Sequence, residues 1–336
     1  MKRFKSIFLT GGAGYVGSCL VPFLLNEGYN VTVYDIMYFG NYFLPKKNKN
    51  LKIISGDIRN QSKIKTSCEN HDVFINLACI SNDSSFVLDR KLSKSINYDS
   101  FEPMVRIAKR SGVKRFIHAS TSSVYGVSNQ KNVKEDHPLV PLTDYNKYKA
   151  MVEPILLNNL DNNFEGVIFR PATVCGYAPR QRLDLSVNIL TNFAYNKSLI
   201  KVFGGDQLRP NLHIMDYCEV VGLFLKAEKK DIHKEIFNVG CQNLTINELA
   251  LKVKCVVEKK LNKKNLINVI KSTSDDKRSY HINSDKIMKK LGYVPKRTIE
   301  MAVEDLCLAF SKNLLPNSFE DDFYFNVNRL KRINAK

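Results

Sequence analysis

Three glycines, Gly11, Gly14 and Gly17, stand at G-x-x-G-x-x-G spacing in "FLTGGAGYVGSCL". An apolar run, "SIFLTG", precedes them. "YVGSCLVPFLLNEG" follows with helical apolar spacing and ends at Gly28, the residue type that closes helices. A strand must therefore turn straight into a helix with almost no side chain in the turn. Such a turn lets the backbone approach a diphosphate, which rests on the free N–H groups of the helix start. Glycine clusters also build ordinary turns. The placement, first strand into first helix, selects a dinucleotide site that includes Tyr15 and Val16.

The alternation continues. Strands are predicted at 6–11, 30–35, 51–57, 72–78, 113–120 and 164–171, with helices between them, notably over 93–111 and 144–160. This pattern specifies an α/β fold, a Rossmann-type doubly wound parallel sheet. After about residue 175 loops lengthen and strands become sparse, with a strand and turn predicted at 199–205, a strand end and helix within 211–230, and helices over 185–196, 246–261 and 298–315. The expected organisation is a dinucleotide-binding domain at 1–174, to which 211–240 returns. A smaller α+β substrate lobe occupies most of 175–315. The tail, 316–336, is polar with four aromatics and is expected to dock on the surface.

Asp35 ends the second predicted strand, 18 residues after Gly17. An acidic side chain there accepts hydrogen bonds from a ribose 2′-hydroxyl and repels a 2′-phosphate. No arginine follows closely, so NAD is expected rather than NADP.

The net charge is +18, from 51 Lys and Arg against 33 Asp and Glu. The lysines are dispersed, and the densest runs, at 45–50 and 257–265, read as solvated turns and helix faces. No nucleic-acid partner is expected. No apolar run approaches the ~18 residues of a membrane span. The apolar patch near the start is too short for a secretory signal, so a cytoplasmic protein without a membrane partner is expected. Eight cysteines without a C-x-x-C read as buried reduced thiols, and six scattered histidines predict no metal site.

"TDYNKYKAMVEP" (143–154) holds two tyrosines and two lysines within five residues. A tyrosine is a poor base at neutral pH unless positive charge lowers its pKa. Tyr145 and Lys149, four apart, share a helical face. Tyr148 meets Val152 and Asp144 at the same offsets. The pair Tyr145 and Lys149 therefore fits proton abstraction from an alcohol that loses hydride to NAD, with Lys149 lowering the tyrosine pKa.

"TGGAGYVG", Asp35, "GDI" (56–58), "NLA" (76–78), Asn97 in "SINYD", "STSSVYG" (120–126) and Tyr145-x-x-x-Lys149 stand in the order and spacing of the extended short-chain dehydrogenases. More narrowly, the chain resembles their NAD-dependent nucleotide-sugar epimerases and dehydratases, from Ser6 to about Leu315. The resemblance implies that Asp57 and Ile58 flank the adenine. It implies that Leu77, Ala78 and Cys79 line the ribose and diphosphate, with Asn97 behind the cofactor. Thr121 would hold the reacting sugar oxygen. The 4,6-dehydratases carry Asp and Glu after that threonine, and decarboxylating relatives also carry an acid at the second position. Here Ser122 and Ser123 follow, which disfavours both reactions.

The same resemblance assigns the substrate to Ser122, Ser123, Thr173, Arg180, Arg182, Asn188, Arg209 and Arg278. Relatives often have Asn at 173. Arg209 and Arg278 match arginines that grip a nucleotide diphosphate, and the four arginines together imply a basic cleft. Ser81 replaces a lysine common in galactose-type epimerases, and "PRQRLDLSVN" (179–188) resembles bacterial enzymes that oxidise C4 of a GDP-linked heptose. The implied activity is 4-epimerisation of a nucleotide-diphosphate sugar through a 4-keto sugar. The alternative is a C4 dehydrogenase that releases the keto product. A non-catalytic NAD-binding regulator is disfavoured because the Tyr/Lys pair is retained. A homodimer through 93–111 and 144–160 is also implied.

Overall fold

The computed structural model describes residues 2–128, 130, 132–273 and 279–336. The first half runs β1 (Ser6–Thr10), α1 (Tyr15–Asn26), β2 (Asn30–Asp35), β3 (Leu51–Ser55), α2 (Gln61–Cys68), β4 (Val73–Asn76), α3 (Asp83–Phe86), α4 (Arg90–Lys94), α5 (Phe101–Arg110), β5 (Arg115–Ala119), α6 (Asp144–Asn159) and β6 (Glu165–Pro171). The second half runs β7 (Thr173–Cys175), α7 (Ser186–Lys197), β8 (Leu199–Phe203), β9 (Leu208–His213), α8 (Ile214–Lys226), α9 (Lys229–Ile232), β10 (Glu235–Val239), β11 (Gln242–Thr245), α10 (Ile246–Leu261), β12 (Asn268–Ser272), α11 (Asp285–Leu291), α12 (Ile299–Ser311) and α13 (Asn326–Arg332).

Seven strands form one sheet in the order β10-β6-β5-β4-β1-β2-β3, every pairing parallel. Helices cover both faces, which is why β4, β5 and β6 are buried along their whole length. One face packs Ile7, Leu9, Val31 and Val33 against α1 and α8. The other packs Phe8, Phe74 and Phe116 against α5 and α6, through Met104 and Val152. Strand order reverses between β1 and β4, so their carboxyl ends diverge and open a crevice, the place where doubly wound sheets take ligands.

Beyond β6, α7, α10 and α12 pack around Val187, Leu190, Val253, Val257, Ala302 and Val303. Two small sheets accompany them, β11-β9-β7 and β12-β8. The expectation of sparse strands after residue 175 is corrected here. β8, β9, β11 and β12 belong to these small sheets, and β10 joins the edge of the large one. The run at 199–205 was expected as a strand and turn, and β8 lies there; β11 and β12 are short and carry polar residues such as Asn243 and Asn268, so no apolar run marked them.

The helix expected over 93–111 is instead three pieces: α4, a π-helical turn at Ser95–Asp99, and α5. Pro103 accounts for the restart. Inside a continuous helix it would leave the Asp99 carbonyl without a donor and clash with it; near the start of α5 it is tolerated. All eight cysteines are free, but Cys255 is exposed and Cys79 and Cys241 are half-buried, so uniform burial does not hold. No helix among the described residues is long and apolar enough to cross a membrane.

Candidate active site

A cleft of about 870 Å³ opens at the β1/β4 switch point. Gly11, Gly14, Tyr15, Val16 and Gly17 line it. Gly11 has φ +76°, and a Cβ there would come within 2.6 Å of the Ala78 nitrogen. A Cβ on Gly17 would lie 2.2 Å from the Gly12 oxygen. Gly14 is the N-cap of α1 and no side chain caps that helix, which leaves its first N–H groups for an anion. This cradle fits a dinucleotide diphosphate.

Asp35 ends β2 in the same cleft. Its two oxygens accept from the Ala13 and Met37 N–H groups at 3.0 and 2.8 Å. Burial raises its pKa against those bonds and against the nearby Arg180 charge. Burial also acts to raise Asp57, but the hydrogen bonds and charge of Arg59 outweigh it and leave that carboxyl below its ordinary value. Ile58, Leu77, Ala78 and Cys79 line the cleft. Asn97 does not; its amide bonds the Ile80 N–H and carbonyl at 2.8 and 2.9 Å and fixes the loop after β4 from behind.

The chemical end lies past β5. Thr121 accepts from the Ser123 N–H, and their hydroxyls are 2.9 Å apart. The Ser123 hydroxyl donates to Asn146, at the start of α6, and Ser122 is buried. Thr121, Ser122, Ser123, Tyr145 and Lys149 all line the cleft. Tyr148 does not. It packs between Phe86 and Tyr98, with ring centroids 5.6 and 5.4 Å away. Behind Thr121, Ser120 donates to Glu153 at 2.6 Å, and Glu153 holds Arg170 through both carboxylate oxygens.

One electrostatic expectation changes. Lys149 donates its ammonium to the Ala119 carbonyl at 2.8 Å. Burial pushes Tyr145 well above the ordinary tyrosine value, Cys79 and Asp83 act in the same direction, and the opposing cation is Arg182. The largest opposing positive charge is Arg182 rather than Lys149.

At the substrate end, Thr173 and Arg209 line the cleft, and Arg209 donates to the Leu208 carbonyl at 2.9 Å. Arg182 lines it too, but grips Asp184 at 2.8 and 3.1 Å and Ser81 at 3.1 Å. Asp184 largely neutralises it, so the cleft is less basic than four arginines imply. Asn188 is corrected from a substrate contact to a positioning group. It accepts from the Gly176 N–H and donates to the Tyr15 hydroxyl and the Arg182 carbonyl. Arg278 lies outside the described residues. Arg180 also lines the cleft, buried, with its guanidinium 3.5 Å from the Phe39 ring centroid.

The tail does more than dock on the surface. Leu330 joins the apolar cluster of Phe8, Phe74 and Phe116, with α13 against α3, and Asn326 lines the cleft, bonded to Arg180 and Ser81. Neither Asn326 nor Asp184 was anticipated. The spacing of Arg182 and Asp184 hinted at an ion pair, whereas nothing local marks Asn326.

A family profile described as NAD dependent epimerase/dehydratase family matches residues 7–240. Among curated proteins, the low-salt glycan biosynthesis protein Agl12 of Haloferax volcanii is 25% identical over 304 residues, covering 89% of this chain and 96% of that one. The human dTDP-D-glucose 4,6-dehydratase is 27% identical over 308 residues, covering 87% and 86%. Among solved structures, the dTDP-glucose 4,6-dehydratase DesIV of Streptomyces venezuelae, with NAD bound, superposes with a TM-score of 0.80 at 22% identity, covering 92% of this chain and 97% of that one. The UDP-glucose 4-epimerase of Thermotoga maritima, with UDP-glucose, gives 0.81 at 23% identity, covering 92% and 99%.

Proposed function

The chain belongs to the NAD dependent epimerase/dehydratase family, and from that membership we propose that it is a nucleotide-sugar 4-epimerase working through a transient 4-keto sugar. One observation carries the choice of reaction: the two residues after Thr121 carry no carboxylate. Positions 122 and 123 are serines, one buried and the other bonded to Asn146. Among the described residues, the carboxylates that line the cleft are Asp35, Asp57, Asp83 and Asp184. Asp35 sits at the end of β2, Arg59 and Arg182 hold Asp57 and Asp184, and Asp83 accepts from Thr143. Elimination of water needs an acid and a base beside C5 and C6 of the sugar, and this arrangement supplies neither. The dehydratase relatives therefore share the fold and cofactor more closely than the reaction.

The chemistry NAD supplies when bound is reversible acceptance of hydride from C4. Tyr145 takes the proton of the C4 hydroxyl and returns it after the keto sugar has presented its other face. Thr121 holds the reacting oxygen, and Lys149 anchors the floor of the cleft. Arg209 and Thr173 meet the nucleotide-diphosphate end of the sugar. A cytoplasmic homodimer paired through α5 and α6 belongs to the same proposal, with light scattering as its test.

A second reading, C4 dehydrogenation with release of the keto sugar, draws support from the 179–188 segment. Its Arg180 and Arg182 line the cleft, and Gln181, Leu183 and Asn188 are buried in the same segment. Incubation with UDP-, GDP-, CDP- and dTDP-sugars, resolved by NMR, separates the two. An epimer without net NADH supports the first; a keto sugar with stoichiometric NADH replaces it by the second. No conversion of any sugar defeats both.

A further inference from the structure

Arg180 is the least compensated buried charge in the cleft. It is 1% exposed. Among the described residues its guanidinium makes one hydrogen bond, from Nη2 to the neutral amide oxygen of Asn326 at 2.7 Å, and its Nε has no partner. No carboxylate forms an ion pair with it among those residues. A guanidinium has five donors, and a buried cation left this way is costly unless an anion arrives. Burial, followed by the like charge of Arg182, pushes its pKa down to about 9.

Its position identifies the anion. The Arg180 N–H donates to Ser18, in the first turn of α1, at 3.1 Å. The guanidinium lies over Phe39, four residues past Asp35, and feels the charges of Asp184 and Asp35. Ser18, Asp35 and Phe39 belong to the helix that follows the glycine turn and to the end of β2, the cofactor half of the cleft. Arg209, Lys201 and Phe203 mark the other half.

We propose that Arg180 is a cofactor-diphosphate ligand rather than a substrate ligand, and that the tail positions it through Asn326. Asn326 is suited to this: its oxygen accepts from Arg180, its amide donates to Ser81 at 3.0 Å, and its N–H donates to Asp184 at 3.2 Å. Arg329 pins the same helix to the Tyr38 carbonyl at 2.8 Å, just past β2. The assignment is independent of whether the enzyme is an epimerase or a dehydrogenase.

The test is displacement of NADH fluorescence by ADP and, separately, by adenosine, which lacks the diphosphate. It uses the wild type, Arg180→Gln, Arg180→Lys and Asn326→Ala, with UDP and GDP binding to the NADH-loaded enzyme as the substrate-side control. Loss of a charge-assisted contact predicts ADP binding weakened about 10- to 100-fold in Arg180→Gln, with adenosine and the control within about twofold. Arg180→Lys recovers part of the loss. Asn326→Ala weakens ADP selectively but less, and decides the matter if Arg180→Gln does not fold. Equal losses for ADP and adenosine would mean damage to the fold, and a loss confined to UDP or GDP would mean a substrate role. Either result, or no change at all, overturns the proposal.

Discussion

Lys149 and Ala119 are joined by a 2.8 Å hydrogen bond from the ammonium to the last carbonyl of β5. The bond fixes a cation at the floor of the cleft and ties α6 to the sheet. It also shapes the interior: His118, one residue earlier on β5, is held well below its ordinary pKa by burial and then by the Lys149 charge. His118 is therefore neutral, and Asn76 lies 3.3 Å from its Nδ1.

Replacing Lys149 with methionine keeps the stem and removes the charge. Turnover is expected to fall by about 10²–10⁴-fold. The His118 ring signal in an NMR titration should move to a higher pKa, because one of the two influences depressing it is gone. Undiminished turnover would remove Lys149 from the mechanism.

The two tyrosines of α6 should separate cleanly. Tyr145→Phe is expected to lose about 10²–10⁴-fold in turnover. Tyr148→Phe keeps the ring that packs between Phe86 and Tyr98, so its activity should stay within about twofold and its stability within ~1 kcal/mol. Comparable activity losses in both variants would show that the wrong tyrosine has been assigned.

Tyrosine is protonated at neutral pH at its ordinary pKa of about 10, and burial pushes Tyr145 higher still. As a base it becomes competent only as pH rises, so kcat/KM for sugar oxidation should climb with pH on the acid limb. That limb should vanish in Tyr145→Phe. A profile that is flat from about pH 6 to 9 in the wild type argues against tyrosine as the base.

Glu153 and Arg170 form a buried pair behind Ser120, with both side chains 3% exposed. Glu153→Ala strands the Arg170 cation and frees the Ser120 hydroxyl, at a cost of roughly 3–5 kcal/mol in urea unfolding. Replacing both partners by apolar residues of similar volume should recover most of that loss, because the desolvated charge is gone. A cost below about 1 kcal/mol for the single variant would show that the pair is not stabilising the site.

Asp72 links the starts of β1 and β4. It accepts from the Lys5 and Ser6 N–H groups and from Lys114. Burial would raise its pKa, but these donors bring it down to about 2. A depressed carboxyl stabilises the fold above its unfolded pKa and loses that contribution as pH falls through the folded one. Roughly 1–2 kcal/mol should therefore disappear between about pH 4 and pH 2. Asp72→Asn should be less stable at neutral pH and show a shallower acid loss. An unaltered acid dependence would place the effect elsewhere.

Placement is legible in the sequence where the signal is local. The glycine turn, Asp35 at a strand end, and the different helical faces of Tyr145 and Tyr148 each depend on periodicity or on an offset of a few residues. The backbone enforces those relations whatever surrounds it. The pieces of 93–111 were misread although Pro103 was in plain view, because apolar spacing continues across the break.

The chain by itself determined a parallel doubly wound sheet with a dinucleotide turn and a Tyr/Lys face on one helix. Tertiary structure decided which charges are spent and which remain. Asp184 neutralises Arg182, Ala119 takes the Lys149 ammonium, and Asn326 reaches Arg180 from 146 residues away. Electrostatics depends on distance and burial rather than on order along the chain, so these assignments exist only once distant segments are packed together.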